Sequence, residues 1–426
     1  MKPIFEKIKQ LSSNLSVVVA SVVLGVAFGF WFPKQAVSTV IISDIYVELL
    51  KLIAIPFMIS SVIYSLSLLI NRKESRGMLG RVVMLLMGSM IACALLGIMM
   101  ALLFSPGSNL SQQTMLTLEK MTGKEQAGIE MALFSVLTDN SALNPDEMLL
   151  SLIPSNIFST LAKGETLKIL IFSMIFGVVI GFMNTEASKP LQKGLNSIFN
   201  ACLKLTIWLN QLVPIVLIAV IAHLVATGGV APLQAMIGFI LCLGVSGLVV
   251  VLVSLFVLRL WSGLSWAKVL ESQREPLVMA IATRNGPACM PVMLNTMIGR
   301  FGFEKERMEL MIPLGISLLR VSAVLYYSIA AMFIAQMYGT DLQVVEWLAI
   351  AFGAVLAGFA SSNMSGILLI SLTGIVCSYV GLPFASLMVL FVAIDPITET
   401  IMTIISVIST NAFSVMACKP QFPVDI

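Results

Sequence analysis

Apolar runs long enough to cross a bilayer recur from one end of this chain to the other, and nothing else in the sequence constrains its fold so strongly. They lie at about 15–32, 43–70, 79–104, 166–183, 195–225, 232–258, 308–337 and 384–416. Crossing about 30 Å of hydrocarbon takes about 20 helical residues. Within lipid the backbone must satisfy its own hydrogen bonds, and continuous rather than alternating apolar runs are read as helices. A content of 58% apolar and 11% charged residues, with mean hydropathy +1.00, excludes a soluble globular protein. Lys2, Lys7 and Lys9 precede the run from Leu15 to Phe32, which is long enough to span and is read as a retained first helix rather than a cleaved leader.

Two further apolar regions are interrupted in their middles. The region 263–296 carries Asn285-Gly286-Pro287, and the region 345–382 carries breakers from Ser361 to Gly366. Non-helical backbone at that depth survives only where protein or a watery cavity surrounds it, so both are expected to be re-entrant hairpins of two half-helices. The spans that follow them are expected to be broken, the seventh near Pro313 and Gly315 and the eighth at Pro396. Hairpin and broken span, twice over with opposite entry sides, is the pattern of an inverted repeat with a substrate site where the half-helix ends meet, and a channel with two pore loops would share it. The fold class is therefore all-α and integral to the membrane, with eight transmembrane helices and two re-entrant hairpins. Basic residues place the loops around Arg72, Lys73, Arg76, Arg81, Lys189, Lys193, Arg259, Lys268, Arg274, Arg300, Lys305, Arg307 and Lys419 on one side, with both termini cytoplasmic. The polar connection 105–150 falls outside, as a cover or an ordinary exposed loop.

The last span is apolar on one face only. Asp395, Glu399, Met402, Thr403, Ser406 and Thr410 recur at helical spacing, so two carboxylates and several hydroxyls share a stripe. A charge at bilayer depth costs about 3 kcal/mol on insertion scales and is tolerated where it faces a cavity or a protein interior. The stripe is expected to line a substrate path; the alternative is a buried pair that only orients the helix. The six cysteines have no paired spacing and His223 stands alone, so neither a disulfide framework nor a metal centre is indicated. A net charge of +3, dispersed along the chain, gives no nucleic-acid surface.

These residues resemble the sodium:dicarboxylate symporters, which include glutamate/aspartate transporters. The resemblance rests on Leu50-Lys51-Leu52-Ile53 through Pro56, and on Ile153-Pro154-Ser155-Asn156-Ile157-Phe158 followed by Leu161-Ala162-Lys163-Gly164. Further matches are Thr283-Arg284-Asn285-Gly286-Pro287-Ala288-Cys289-Met290-Pro291-Val292 at the first hairpin tip, Ile312-Pro313-Leu314-Gly315, Phe333-Ile334-Ala335-Gln336, Gly381-Leu382-Pro383 and Ala393-Ile394-Asp395. It implies a homotrimer working as an elevator in a bacterial inner membrane. Residues 1–225 would be mainly scaffold, except for the third span at about 79–104, and 226–418 the transport domain. The implied cargo is a small amino acid or dicarboxylate. It would be held by Arg284, Asn285, Gly286, Pro287, Arg320, Glu399, Met402, Thr403 and Ser406.

The sequence departs from the family where cations bind. The family's Asn-Met-Asp-Gly-Thr is replaced by Leu319, Arg320, Val321, Ser322 and Ala323, and its later asparagine and aspartate on the eighth span by Ser406 and Thr410. On the third span the corresponding positions are Leu86, Ser89 and Met90. A hard cation needs oxygen ligands, and Leu, Val and Met supply none from their side chains. Gly315, Ser406 and Thr410 remain as weak sodium candidates, and Glu399 with Asp395 as proton carriers, so the coupling ion is H+ or a residual Na+, or the protein is an exchanger; no other cofactor is implied. The family's substrate-reading arginine is Met402 here, which removes bidentate carboxylate recognition at that point and favours a neutral amino acid. Arg320 would bind an anion or pair with Glu399.

An enzyme is not expected. Gly315-Ile316-Ser317-Leu318 is only a faint Gly-x-Ser, and the one histidine lies on a scaffold-type span. The alternative function is a transport-inactive sensor or partner-binding membrane protein of the same fold.

Overall fold

The computed structural model describes residues 15–71, 76–108, 156–163, 166–183, 185–228, 231–340, 342–361, 366–382, 384 and 387–418. Among these residues every regular element is a helix. Several expectations fall outside them: the basic residues Lys2, Lys7, Lys9, Arg72, Lys73 and Lys419, the outer connection from 109 to 150, the motif residues 153–155, 164 and 383, and the middle of the second hairpin at 362–365.

The first helices are α1 Leu15–Trp31, α2 Pro33–Ser38, α3 Val40–Asn71 and α4 Arg76–Phe104. Proline opens α2, where its missing N–H would have had no intrahelical partner. After the short α5 Ile157–Lys163 come α6 Thr166–Phe182, α7 Thr185–Asn210 and α8 Val213–Gly228. The apolar run at 195–225, expected as one span, is thus divided between α7 and α8 at Gln211 and Leu212. Pro214 in the first turn of α8 donates no N–H to a continuing ladder, so the new helix starts where the proline costs nothing. The longer helix α9 Ala231–Ser262 follows.

The first interrupted region is two helices, α10 Trp266–Thr283 and α11 Gly286–Asn295, with Arg284 and Asn285 between them and a π-helical turn at Thr296–Arg300 after them. The seventh span is α12 Lys305–Leu318 and α13 Val321–Met337. Its break falls at Leu319 and Arg320, not at Pro313 or Gly315, both of which lie inside α12. The second interrupted region is α14 Val344–Ala360, α15 Ile367–Ser371 and α16 Thr373–Ser378. The eighth span, α17 Met388–Ala417, is unbroken. Pro396 stays within it, and the hydroxyls of Thr398 and Thr400 donate to the carbonyls of Asp395 and Pro396 at 3.1 and 2.8 Å in the same turn. Hydroxyl side chains of this kind let membrane helices tolerate proline.

Packing divides the helices into two groups. In one, α6 and α7 lie along α3, and α8 lies against α1 and α2; His223 of α8 places Nδ1 3.3 Å from the Val37 carbonyl. In the other, α13 is the hub, enclosed by α4, α9, α14, α16 and α17, with every residue but Gln336 buried. Gln336 ties this hub to the end of α4, donating to the Ala101 carbonyl at 2.8 Å and accepting from the Gly107 amide at 3.0 Å. Phe239 of α9, Tyr326 and Phe333 of α13, and Phe391 of α17 form a buried aromatic cluster, with Phe239 edge-on to Tyr326 and Phe391. The groups meet where α3 touches α4, α12, α14 and α15, where α6 touches α14, and where α8 touches α9 and α17.

By length and composition, Gly80–Phe104, Met236–Ser262, Lys305–Met337 (counted across its break) and Leu390–Ala417 are able to cross a membrane. Large apolar side chains such as Trp31, Leu52, Met84 and Leu103 point outward, as suits helices solvated by lipid rather than water.

Candidate substrate and coupling site

The first hairpin tip is shaped by its sequence. Arg284 adopts the left-handed conformation, with φ of 50°, and its N–H closes α10 on the Ala280 carbonyl. Asn285 then caps α11, its Oδ1 accepting from the Ala288 amide at 3.3 Å, and Pro287 sits in the first turn, where no N–H is needed. A Cβ on Gly286 would meet Ile316 at 3.6 Å, so the tip rests on α12. Arg284, Asn285, Gly286 and Pro287 are all half-buried.

Helix α17 presents the polar stripe toward this tip. Asp395 is 7% exposed, and its carboxylate lies within electrostatic reach of Glu399, one turn on, and of Arg284. Its Oδ1 has no hydrogen-bond partner among the described residues. The other oxygen, Oδ2, faces Gly366 of the second hairpin, 3.4 Å from where a Cβ would sit; φ of +64° there also favours glycine. From the other helix group, buried Tyr46 of α3 comes within reach of both carboxylates. The Tyr326 hydroxyl of α13 is fully buried, near Asp395, and without a partner among the described residues. One acidic pair is therefore enclosed by both hairpins, by α13 and by α3.

Further along the stripe, Met402, Thr403, Ser406 and Thr410 are all buried. Thr403 donates its hydroxyl to the Glu399 carbonyl at 2.8 Å, so it can only accept from a ligand. Gly315 lies against Thr410, but it is the threonine methyl that faces it, 2.6 Å from a Cβ built there. The Gly315 carbonyl already accepts from the Leu319 amide at 2.8 Å. Thr410 Oγ1 is buried and without a partner among the described residues. The weak sodium candidates Gly315, Ser406 and Thr410 thus offer neutral oxygens, one of them engaged, and no carboxylate. They do not fit a sodium site built on an anionic ligand.

Arg320 precedes the first residue of α13. It is 9% exposed and fills the break between α12 and α13, with Nε donating to Ser361 Oγ at 3.3 Å. Ser361 caps the C-terminus of α14 and donates onward to the Gly358 carbonyl at 2.7 Å. Tyr327 lies beside both. A Cβ on Gly358 would strike Val324 at 2.5 Å and Met90 at 3.3 Å, so glycine is what lets α14 approach the break.

A model of the sodium:dicarboxylate symporter family matches residues 15–419. The chain belongs to that family. Membership makes it a multi-pass membrane transport protein rather than an enzyme. A proton/glutamate-aspartate symporter of Escherichia coli (strain K12) is 26% identical over 374 residues, covering 88% of this chain and 83% of that protein. A proton/sodium-glutamate symport protein of Geobacillus stearothermophilus is 24% identical over 408 residues, 94% of this chain and 93% of that one. A C4-dicarboxylate transport protein of Anaeromyxobacter sp. (strain K) is 24% identical over 420 residues, 98% and 92% respectively.

Several buried polar groups in and near this candidate site escape a reading of sequence. Tyr46 is the clearest: it lies in the second apolar run, far along the chain from the acids it faces. Gln273 of α10 and Asn411 of α17 form a fully buried amide contact of 2.8 Å that no spacing announces. Tyr326-Tyr327 carried a signal in principle, two adjacent phenol hydroxyls inside a membrane span.

Proposed function

We propose that this protein is a secondary active transporter that carries a small amino acid or a dicarboxylate across a bacterial inner membrane, coupled to protons through the acidic pair. The observation that carries the reading is the placement of Asp395 and Glu399 beside Arg284, where both hairpins meet α17. Arg284 supplies a guanidinium for a substrate carboxylate, and Glu399 a carboxylate for a substrate amine. The relatives, named as transporters of glutamate, aspartate and C4-dicarboxylates, support the same two substrate classes. Met402 in place of a second cation favours a neutral amino acid within them.

Two carboxylates one helical turn apart resist carrying two negative charges, and a substrate carboxylate that occupies Arg284 removes the cation that offsets them, so binding favours uptake of a proton by the pair. Substrate binding and proton uptake are linked in this way without a metal step. For the movement itself, the group of α1–α3 and α6–α8 serves as the fixed scaffold of a trimer. The group of α4 and α9–α17 serves as the element that rides through the membrane, with both termini cytoplasmic. Tyr46 would then leave the acids during the cycle.

The test is uptake of a radiolabelled panel of amino acids and dicarboxylates into proteoliposomes, with proton and sodium gradients imposed separately. Accumulation on a proton gradient, lost in Glu399→Gln while exchange persists, supports the reading. Uptake on sodium alone overturns the coupling, and ligand binding with neither uptake nor exchange overturns transport.

A further inference from the structure

We propose that the Arg320 guanidinium is a tethered cation that neutralises the α12 and α14 helix C-termini from within the chain, so that no free monovalent cation is needed there. The inference rests on the transporter reading only in treating that position as one a coupling ion would otherwise hold.

The ends of interrupted helices in membrane transporters are attractive to cations, because their last carbonyls point into the break and carry the negative end of the helix dipole. Here two such ends converge. Helix α12 stops at Leu318, leaving carbonyls of its final turn without a continuing ladder. Helix α14 stops at Ala360, with Ser361 as its cap. Arg320 follows directly on the first end and donates Nε to the cap of the second. A charge this deeply buried is costly unless compensated, and two helix C-termini together with the Ser361 hydroxyl are the kind of surroundings that compensate it.

The side chains around the break fit a guanidinium better than a metal ion. Beside Gly358 and the Arg320 Cβ lie a Val324 methyl and the Met90 terminal methyl, groups that a hard cation does not use. Among the described residues no cluster of three His, Cys, Asp or Glu side chains is present. Gly358 completes the arrangement: only without a Cβ can α14 come close enough for Ser361 to meet Arg320.

The test is thermal unfolding of the purified full-length protein without substrate, in choline, sodium, lithium or potassium chloride at equal ionic strength. Wild type, Arg320→Met and Arg320→Lys are compared. Wild type is expected to unfold at the same temperature in every salt. Arg320→Met is expected to unfold lower in choline and to be raised by about 3 °C or more, saturably, by sodium or by low methylguanidinium. Should Arg320→Met give no folded protein, Arg320→Lys carries the test: its shorter reach toward Ser361 lowers stability in choline, and methylguanidinium restores it. Saturable stabilisation of wild type by sodium overturns the proposal, as does a folded variant that responds to neither cation. Because no substrate is used, a failure here leaves the transporter reading intact, and a failure of uptake leaves this result intact.

Discussion

Around Asp395, charge is shared among side chains from separate elements: Glu399 on the same helix, Arg284 from the first hairpin and Tyr46 from the opposite helix group, with Gly366 of the second hairpin held close. Around Arg320 a guanidinium donates to Ser361, with Tyr327 nearby, and both of these belong to its own helix group. On the proposed elevator cycle, the first cluster would change its composition as the hairpins or helix groups shift, as a site that binds, releases and protonates requires. Ser361 and Tyr327 would move with Arg320, which suits a permanent charge. Burial alone does not separate the two, since Asp395 and Arg320 are about equally hidden. The origin of the surrounding groups does.

That contrast can be broken by substitution. The largest effect is expected from Glu399→Gln, which removes the titratable partner and should reduce proton-driven accumulation to that of empty liposomes while leaving exchange measurable. If accumulation survives, the shared-proton role of the pair is wrong. Next comes Gly358→Val. Its added carbons have nowhere to go beside Val324 and Met90, and overpacking of this kind costs about 2 kcal/mol. Unfolding temperature should fall, with the loss greater than for Gly244→Ala, where a Cβ meets nothing within 4 Å. Equal losses would mean that α14 does not need its close approach.

Thr403→Val is expected to weaken binding of the transported ligand by roughly 3- to 10-fold, the range for one neutral hydrogen bond, with thermal stability unchanged. An unchanged affinity would remove Thr403 from the substrate site. The last substitution is Arg284→Gly. Glycine relieves a left-handed backbone that costs about 1 kcal/mol for other residues, so unfolding temperature should hold or rise slightly while ligand affinity drops. A fall in both would make Arg284 a structural residue of the tip.

The sequence made the hairpin tip legible because Asn285-Gly286-Pro287 each have a local reason to end or start a helix, and the structure uses them as cap and first turn. The stripe on α17 was legible for the same kind of reason, a period of 3.6 residues. Breaks governed by tertiary contacts were not. Pro396 signalled a break that α17 does not have, since proline inside a packed membrane helix loses one hydrogen bond and little else. Leu319 and Arg320 contain no helix breaker, yet the helix stops there, where the Arg320 side chain turns to Ser361. Tyr46 and the Gln273–Asn411 contact depend on helices brought together by the fold as a whole, which local patterns do not encode.

The coupling ion is the point on which the account stands or falls, and one measurement addresses it directly: initial uptake by wild-type proteoliposomes under an inward proton gradient without sodium, set against an inward sodium gradient at equal pH on both sides. The account predicts accumulation in the first condition and none in the second, in keeping with an acidic pair that holds a proton and an arginine that already fills a cation's place. Accumulation driven by sodium with no pH difference would contradict it, and would mean that backbone carbonyls near Gly315 or the second hairpin bind the ion that the side chains do not.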